Sequence, residues 1–157
     1  MRPYGDISSP AILRLMKTLY IGADHAGWRL KEKLKSALAN ARVRIQDLTP
    51  LFKAGDDYPA IGKAVAKKTA LSKNAMGLLV CKSGVGMAIA ANRIKGARAV
   101  EGYAPHQVKL AREHNDANVL TIGEQQTSAT TAAKLVKIFL TTPASKAARH
   151  RRRGKQL

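Results

Sequence analysis

The 157-residue sequence has one cysteine, two phenylalanines and one tryptophan, and it sets only 10 acidic residues against 28 lysines and arginines. Each scarcity excludes something. A single cysteine cannot close an intrachain disulfide, so Cys81 is a free thiol, and a reducing, cytoplasmic compartment would keep it so. No run approaches the roughly 18 consecutive apolar residues that a bilayer-spanning helix needs. The opening MRPYGDISSPAILRLMK has neither a basic region ahead of a long apolar core nor a small-residue cleavage site, so a soluble protein without membrane contact is expected. The histidines, His25, His106, His114 and His150, show no C-x-x-C or H-x-x-x-H spacing. No metal is therefore expected, and no other cofactor. An aromatic content of 4% leaves few platforms on which single-stranded bases could stack.

What is present is an ordinary hydrophobic content of 45%, enough for one domain around one core, and a formal net charge of +18. Such a charge attracts polyanions and anionic small molecules, and it leaves non-specific contact with nucleic acid open. Most of the cations are scattered along helical stretches such as WRLKEKLKSALANARVR and AVAKKTALSK, where a solvated face accounts for them. The segment from Lys146 to Lys155 is different, because it is dense in Lys and Arg and contains no acid. It reads either as a nucleic-acid tail or as a phosphate clamp.

Periodicity gives alternating strands and helices. Strands are expected at 18–23, 42–48, 77–81, 97–101 and 118–122, and helices at about 28–39, 59–72, 85–92, 105–113 and 128–140. This alternation predicts an α/β fold, a three-layer αβα sandwich with a five-stranded parallel sheet of Rossmann-like kind. Ligands of such sheets bind at the carboxyl ends of the strands. Asp24-His25 and Cys81-Lys82-Ser83-Gly84-Val85-Gly86 fall at such ends, and His114-Asn115-Asp116 closes the helix after strand four. The SGVG turn followed by a helix is a place for negative charge. On these grounds alone Cys81 is open to two readings, a core residue or a reactive thiol. Asp24 is equally open to a helix-capping role.

Five colinear stretches, IGADHAGWRLKEKLK, GDDYP, VCKSGVGMAIAANRIKGARA, AREHNDANVLTIG and ARHRRR, resemble the motifs of the ribose-5-phosphate isomerase B and galactose-6-phosphate isomerase family over about residues 17–153. The resemblance divides the chain into an N-terminal extension (1–16), a Rossmann-like isomerase domain (17–142) and a basic C-terminal segment that carries phosphate ligands (143–157). It implies metal-independent aldose–ketose isomerisation of ribose 5-phosphate and ribulose 5-phosphate through an enediolate, with Cys81 as the base. Gly84, Val85 and Gly86 would supply the anion hole, Ser83 would help with hydroxyl protons, and His114 would open the sugar ring. Asp24, His25, Tyr58 and Asn115 would meet the sugar, and His25, Arg149 and Arg153 the phosphate. The resemblance also implies a homodimer with shared active sites, His114 reaching across the interface, and it leaves a tetramer open. Three places depart from the family pattern: Lys82 stands where glycine is usual, Gln125 where an arginine is usual, and the segment Gly102-Tyr103-Ala104-Pro105-His106 differs from the usual one. Allose or galactose 6-phosphate isomerisation, and a non-catalytic homologue that binds sugar phosphate or nucleic acid, are the alternatives.

Overall fold

The computed structural model describes residues 16–157; the extension expected over 1–16 lies outside the described residues except for Met16. Five strands, β1 (Lys17–Ala23), β2 (Val43–Asp47), β3 (Ala75–Cys81), β4 (Ala99–Glu101) and β5 (Val119–Gly123), form one parallel sheet in the order β2-β1-β3-β5-β4. The helices are α1 (Trp28–Ala37), α2 (Tyr58–Ala70), α3 (Val85–Ala91), α4 (Pro105–Asn115), α5 (Ala129–Thr141) and α6 (Ala148–Gly154). This is the α/β, Rossmann-like architecture that the alternating pattern predicts.

β3 shows why the sheet is covered on both faces. All of its residues are buried, and successive side chains of a strand point to opposite faces. Met76, Leu78 and Val80 pack with Leu30 and Leu34 of α1 and with Leu135 and Phe139 of α5. Leu79 and Cys81 join Val65 and Ala66 of α2 and Met87 and Ala91 of α3. The strand order reverses between β1 and β3, whose connections leave in opposite directions across the sheet. In sheets of this kind the ligand crevice lies outside the carboxyl ends of the strands at such a reversal, and Asp24 and Cys81 stand at those ends.

Several boundaries move from their expected places for local reasons. β3 begins two residues early because Ala75 and Met76 already pair with Thr18 and Leu19. β4 begins late, since the Ala97 N–H donates to the Ile94 carbonyl at 3.0 Å and the Arg98 N–H to Asn118 Oδ1 at 2.8 Å. α4 runs on to Asn115 and stops at Asp116, whose φ of 48° is left-handed. Pro59 and Pro105 sit in the first turns of α2 and α4, where the missing N–H costs nothing.

Candidate active site

At the end of β3 the chain turns through Ser83 and Gly84. Gly84 has a φ of 88°, a conformation available to glycine without strain. That turn aims the Gly84 N–H back at Cys81 Sγ, at 3.1 Å. The thiol is only 5% exposed and packs beside aliphatic side chains, yet its sulfur also touches the amide of the loop. Both readings of Cys81 that the sequence leaves open therefore describe its surroundings.

The three amides of the expected anion hole are differently engaged. Gly84 N–H faces the sulfur, Val85 N–H lies 3.4 Å from Ser83 Oγ, and Gly86 N–H belongs to the first turn of α3, where no intrahelical acceptor exists. Tyr58 closes one side of this loop. A Cβ at Gly86 would stand 2.6 Å from its ring, so the ring rests on the backbone itself.

β1 delivers Asp24 and His25 to the same edge of the sheet. Asp24 is 6% exposed, and its Oδ1 accepts the Gly27 N–H at 2.9 Å, so it does shape the entry to α1. Its second carboxylate oxygen has no hydrogen-bond partner among the described residues. His25 is held by Asp56, whose Oδ1 accepts the His25 backbone N–H at 2.7 Å and stands 3.1 Å from its Nδ1. A carboxylate can only accept, so Nδ1 carries the hydrogen and Nε2 is left for a ligand. Asp56 is absent from the expected site. The GDDYP stretch that contains it was visible, but its partner lies 31 residues away.

The remaining expected residues gather elsewhere. His114 lies in the last turn of α4, and its ring stacks on that of His150 from α6, with centroids 4.1 Å apart and planes 6° from parallel. Arg149 Nε donates to His150 Nε2 at 3.3 Å, so that nitrogen is unprotonated. Burial, followed by the charges of His114, Arg149 and Arg153 and against the pull of Glu113, lowers the His150 pKa from its ordinary 6.5. Two residues that the sequence does not single out shape this corner. Arg112 Nη1 meets Asp116 Oδ1 at 2.8 Å and Arg98 Nη2 meets Asp116 Oδ2 at 3.0 Å, fixing the turn that carries His114 and Asn115. A cavity of about 560 Å³ opens there, lined in part by His114, Asn115, His150 and Arg151. Arg149 and Arg153 are exposed and lie outside its lining.

Helices in this sheet run against the strands, so the C-terminus of α4 lies at the amino edge, where β5 starts. Cys81 pairs with Gly123 at the opposite end of β5. A strand's length, about 13 Å at roughly 3.3 Å per residue, separates the two clusters. Within one chain the structure brings together Cys81, Ser83, Gly84, Val85, Gly86, Asp24, His25 and Tyr58. It does not bring His114, Asn115, Arg149 or Arg153 to them.

Comparison with known proteins adds to this geometry. Residues 19–157 match the sequence profile of a family described as Ribose/Galactose Isomerase. Ribose-5-phosphate isomerase B of Mycobacterium tuberculosis is 40% identical over 136 residues, covering 86% of this chain and 84% of the relative. The protein of that name from Escherichia coli is 35% identical over 125 residues, with coverage of 80% and 84%. Among solved structures, ribose-5-phosphate isomerase B from Mycoplasma genitalium with bound ribulose-5-phosphate superposes with a TM-score of 0.82 at 34% identity, covering 88% of this chain and 92% of that one. The type B ribose 5-phosphate isomerase of Trypanosoma brucei gives 0.84 at 33% identity, with coverage of 90% and 96%.

Proposed function

This chain belongs to the ribose/galactose isomerase family, and from that premise we propose that it interconverts ribose 5-phosphate and ribulose 5-phosphate, with Cys81 as the base. The observation that carries the proposal is the 3.1 Å approach of the Gly84 amide to Cys81 Sγ, at the carboxyl end of β3 and beside Asp24 in the switch-point crevice.

Isomerisation moves one proton from C2 to C1. The Cys81 thiolate takes the C2 proton as the C1 carbonyl electrons move onto oxygen, and it returns that proton to C1 once the enediolate has formed. Negative charge develops on the sugar oxygens between the two transfers. The Gly84 N–H steadies the sulfur at 3.1 Å, and the main-chain donors that follow it at the start of α3 meet the sugar's charge from fixed positions, which is more effective than rotatable side chains or water. Ser83 relays hydroxyl protons between the two oxygens. Asp24 meets the sugar hydroxyls with its open oxygen, Tyr58 walls the sugar and His25 presents Nε2 to the phosphate.

Ring opening needs an acid/base pair, and the phosphate needs guanidinium groups with multiple donors. His114, Asn115, Arg149 and Arg153 offer these, but from the far edge of the sheet. A second copy of the chain therefore completes each site, and the working unit is a homodimer with two shared sites. The reaction belongs in the cytoplasm, where a free thiol stays reduced.

The test is conversion of ribose 5-phosphate by purified protein without added metal. Cys81→Ala should lower kcat by about 10²–10⁴-fold, the range for losing a positioned acid/base group, with circular dichroism and Tm close to those of the wild type. A folded, dimeric wild type without turnover would exclude the proposal. Allose 6-phosphate and galactose 6-phosphate run in parallel decide the sugar, on which Lys82, directly after the base, bears.

A further inference from the structure

Among the described residues Lys31 is the one charged side chain with no measurable exposure, and the chemistry above makes no use of it. Burying an ammonium group costs several kcal/mol unless partners surround it. Here they do. Lys31 Nζ lies 2.7 Å from Asp47 Oδ2 and 2.9 Å from Glu32 Oε1, and it donates to the Thr49 carbonyl. Lys35 Nζ reaches the same Asp47 oxygen at 2.7 Å. Asp47 Oδ1 accepts the Thr49 N–H at 2.9 Å. Every one of these contacts from Lys31 and Asp47 to Thr49 fixes the short segment that leaves β2.

That segment reaches the proposed site. The β1–β2 register ends with the pair Ile21 and Asp47, and one further backbone bond follows, from Leu48 N–H to the Ile21 carbonyl at 2.8 Å. Beyond it the strands part, and a side chain replaces the ladder: Thr49 Oγ1 accepts the Ala23 N–H at 2.9 Å. Ala23 is 1% exposed, so its N–H has no water to fall back on. The next residue is Asp24, bonded onward to Gly27. The chain of contacts thus runs from the Lys31 ammonium through Thr49 to the backbone that carries Asp24.

We infer that Lys31 and Thr49 are positioning residues that hold Asp24 at the sugar. The inference rests on the proposed isomerase function, in which Asp24 meets the sugar hydroxyls. Thr49→Val removes the hydroxyl at nearly constant shape, Thr49→Ser keeps it, and Lys31→Met removes the buried charge. Hydrogen exchange is read at the Ala23 and Gly27 amides, and kcat, KM and the inhibition constant of inorganic phosphate are measured beside it.

In Thr49→Val and Lys31→Met, exchange at both amides should rise and kcat should fall, each by about tenfold, the worth of one good hydrogen bond. The phosphate inhibition constant should stay as in the wild type, because phosphate meets other residues, and Thr49→Ser should behave as the wild type. Added to Asp24→Asn, Thr49→Val should lower kcat no further, since the two act in series. Unchanged exchange in Thr49→Val, or a full additional loss in the Asp24→Asn background, overturns the inference. A general loosening would weaken phosphate inhibition as well, and that result too overturns it. If Lys31→Met does not fold, Thr49→Val decides. A wild type without turnover sinks the isomerase assignment instead, and the exchange data still show whether the clamp exists.

Discussion

The loop after β3 and the corner where α4 meets α6 are built from different materials. The loop is held by close approach: a left-handed glycine, an amide against sulfur, a tyrosine ring lying on Gly86, and aliphatic packing behind Cys81. The corner is held by charge. Two guanidinium groups grip Asp116, two imidazoles stack, and α6 carries Arg149, Arg151, Arg152 and Arg153 without an acid of its own. Packing survives salt and pH, whereas an array of like charges waits for an anion. Under the proposed function, the first region handles the chemistry of carbon and hydrogen, and the second captures the phosphate.

Three experiments bear on that contrast. The largest effect is expected from mixing two inactive variants, Cys81→Ala and His114→Ala. If the regions serve one site from two chains, random re-association gives mixed dimers that hold one intact site each, and activity returns to about a quarter of the wild-type value. Two sites complete within single chains would give no recovery on mixing. Next, Arg149→Ala should raise KM for ribose 5-phosphate by about tenfold or more, the scale of one charge-assisted bond, and leave kcat within a few fold. A fall in kcat at unchanged KM would contradict a binding role for the corner.

The smallest effect concerns acid. His150 has a lowered pKa, so its contribution to stability is complete above its ordinary 6.5 and is lost as pH falls through the lower folded value. For Asp47 burial is the largest influence and opposes ionisation. It is outweighed by hydrogen bonds from Lys31 and Lys35, the Thr49 amide and the Lys31 charge, which together hold the carboxyl below its ordinary 3.8. Its contribution is present above that value and is lost as pH falls through the lower folded value. Amide exchange followed against pH should show the α4–α6 corner loosening first, below 6.5, and the β1–β2 side only below 3.8. Simultaneous loosening of both would erase the distinction.

The sheet and most of the β3 loop were legible in the sequence because they depend on neighbours along the chain. The unbroken apolar run before Cys81 and the glycines after it need no distant partner to be read. Asp56, Arg98 and Lys31 were not legible as site-shaping residues, because each works through a contact that only the fold creates; Arg112, four residues before Asp116 on α4, stood at a spacing that the sequence does show. Arg98 meets Asp116 18 residues on, and Lys31 meets Asp47 16 residues on. One clue was available for Lys31. It falls three residues before Leu34 and beside Leu30, on the apolar stripe of α1, where an unpartnered lysine does not belong. Arg149 and Arg153 stand four residues apart on α6, a spacing that puts them on one face, but the cavity beneath that helix is lined by His150, Arg151 and Gly154 instead. Helical periodicity gives a shared face without saying which way the face looks.

Opposite edges of one sheet cannot be brought nearer by any side-chain motion, so under the proposed function a solitary chain is a pair of unfinished halves. Output per molecule then depends on how crowded the solution is: thinning the protein below its self-association constant should silence it with no unfolding at all, and mass action alone would restore it.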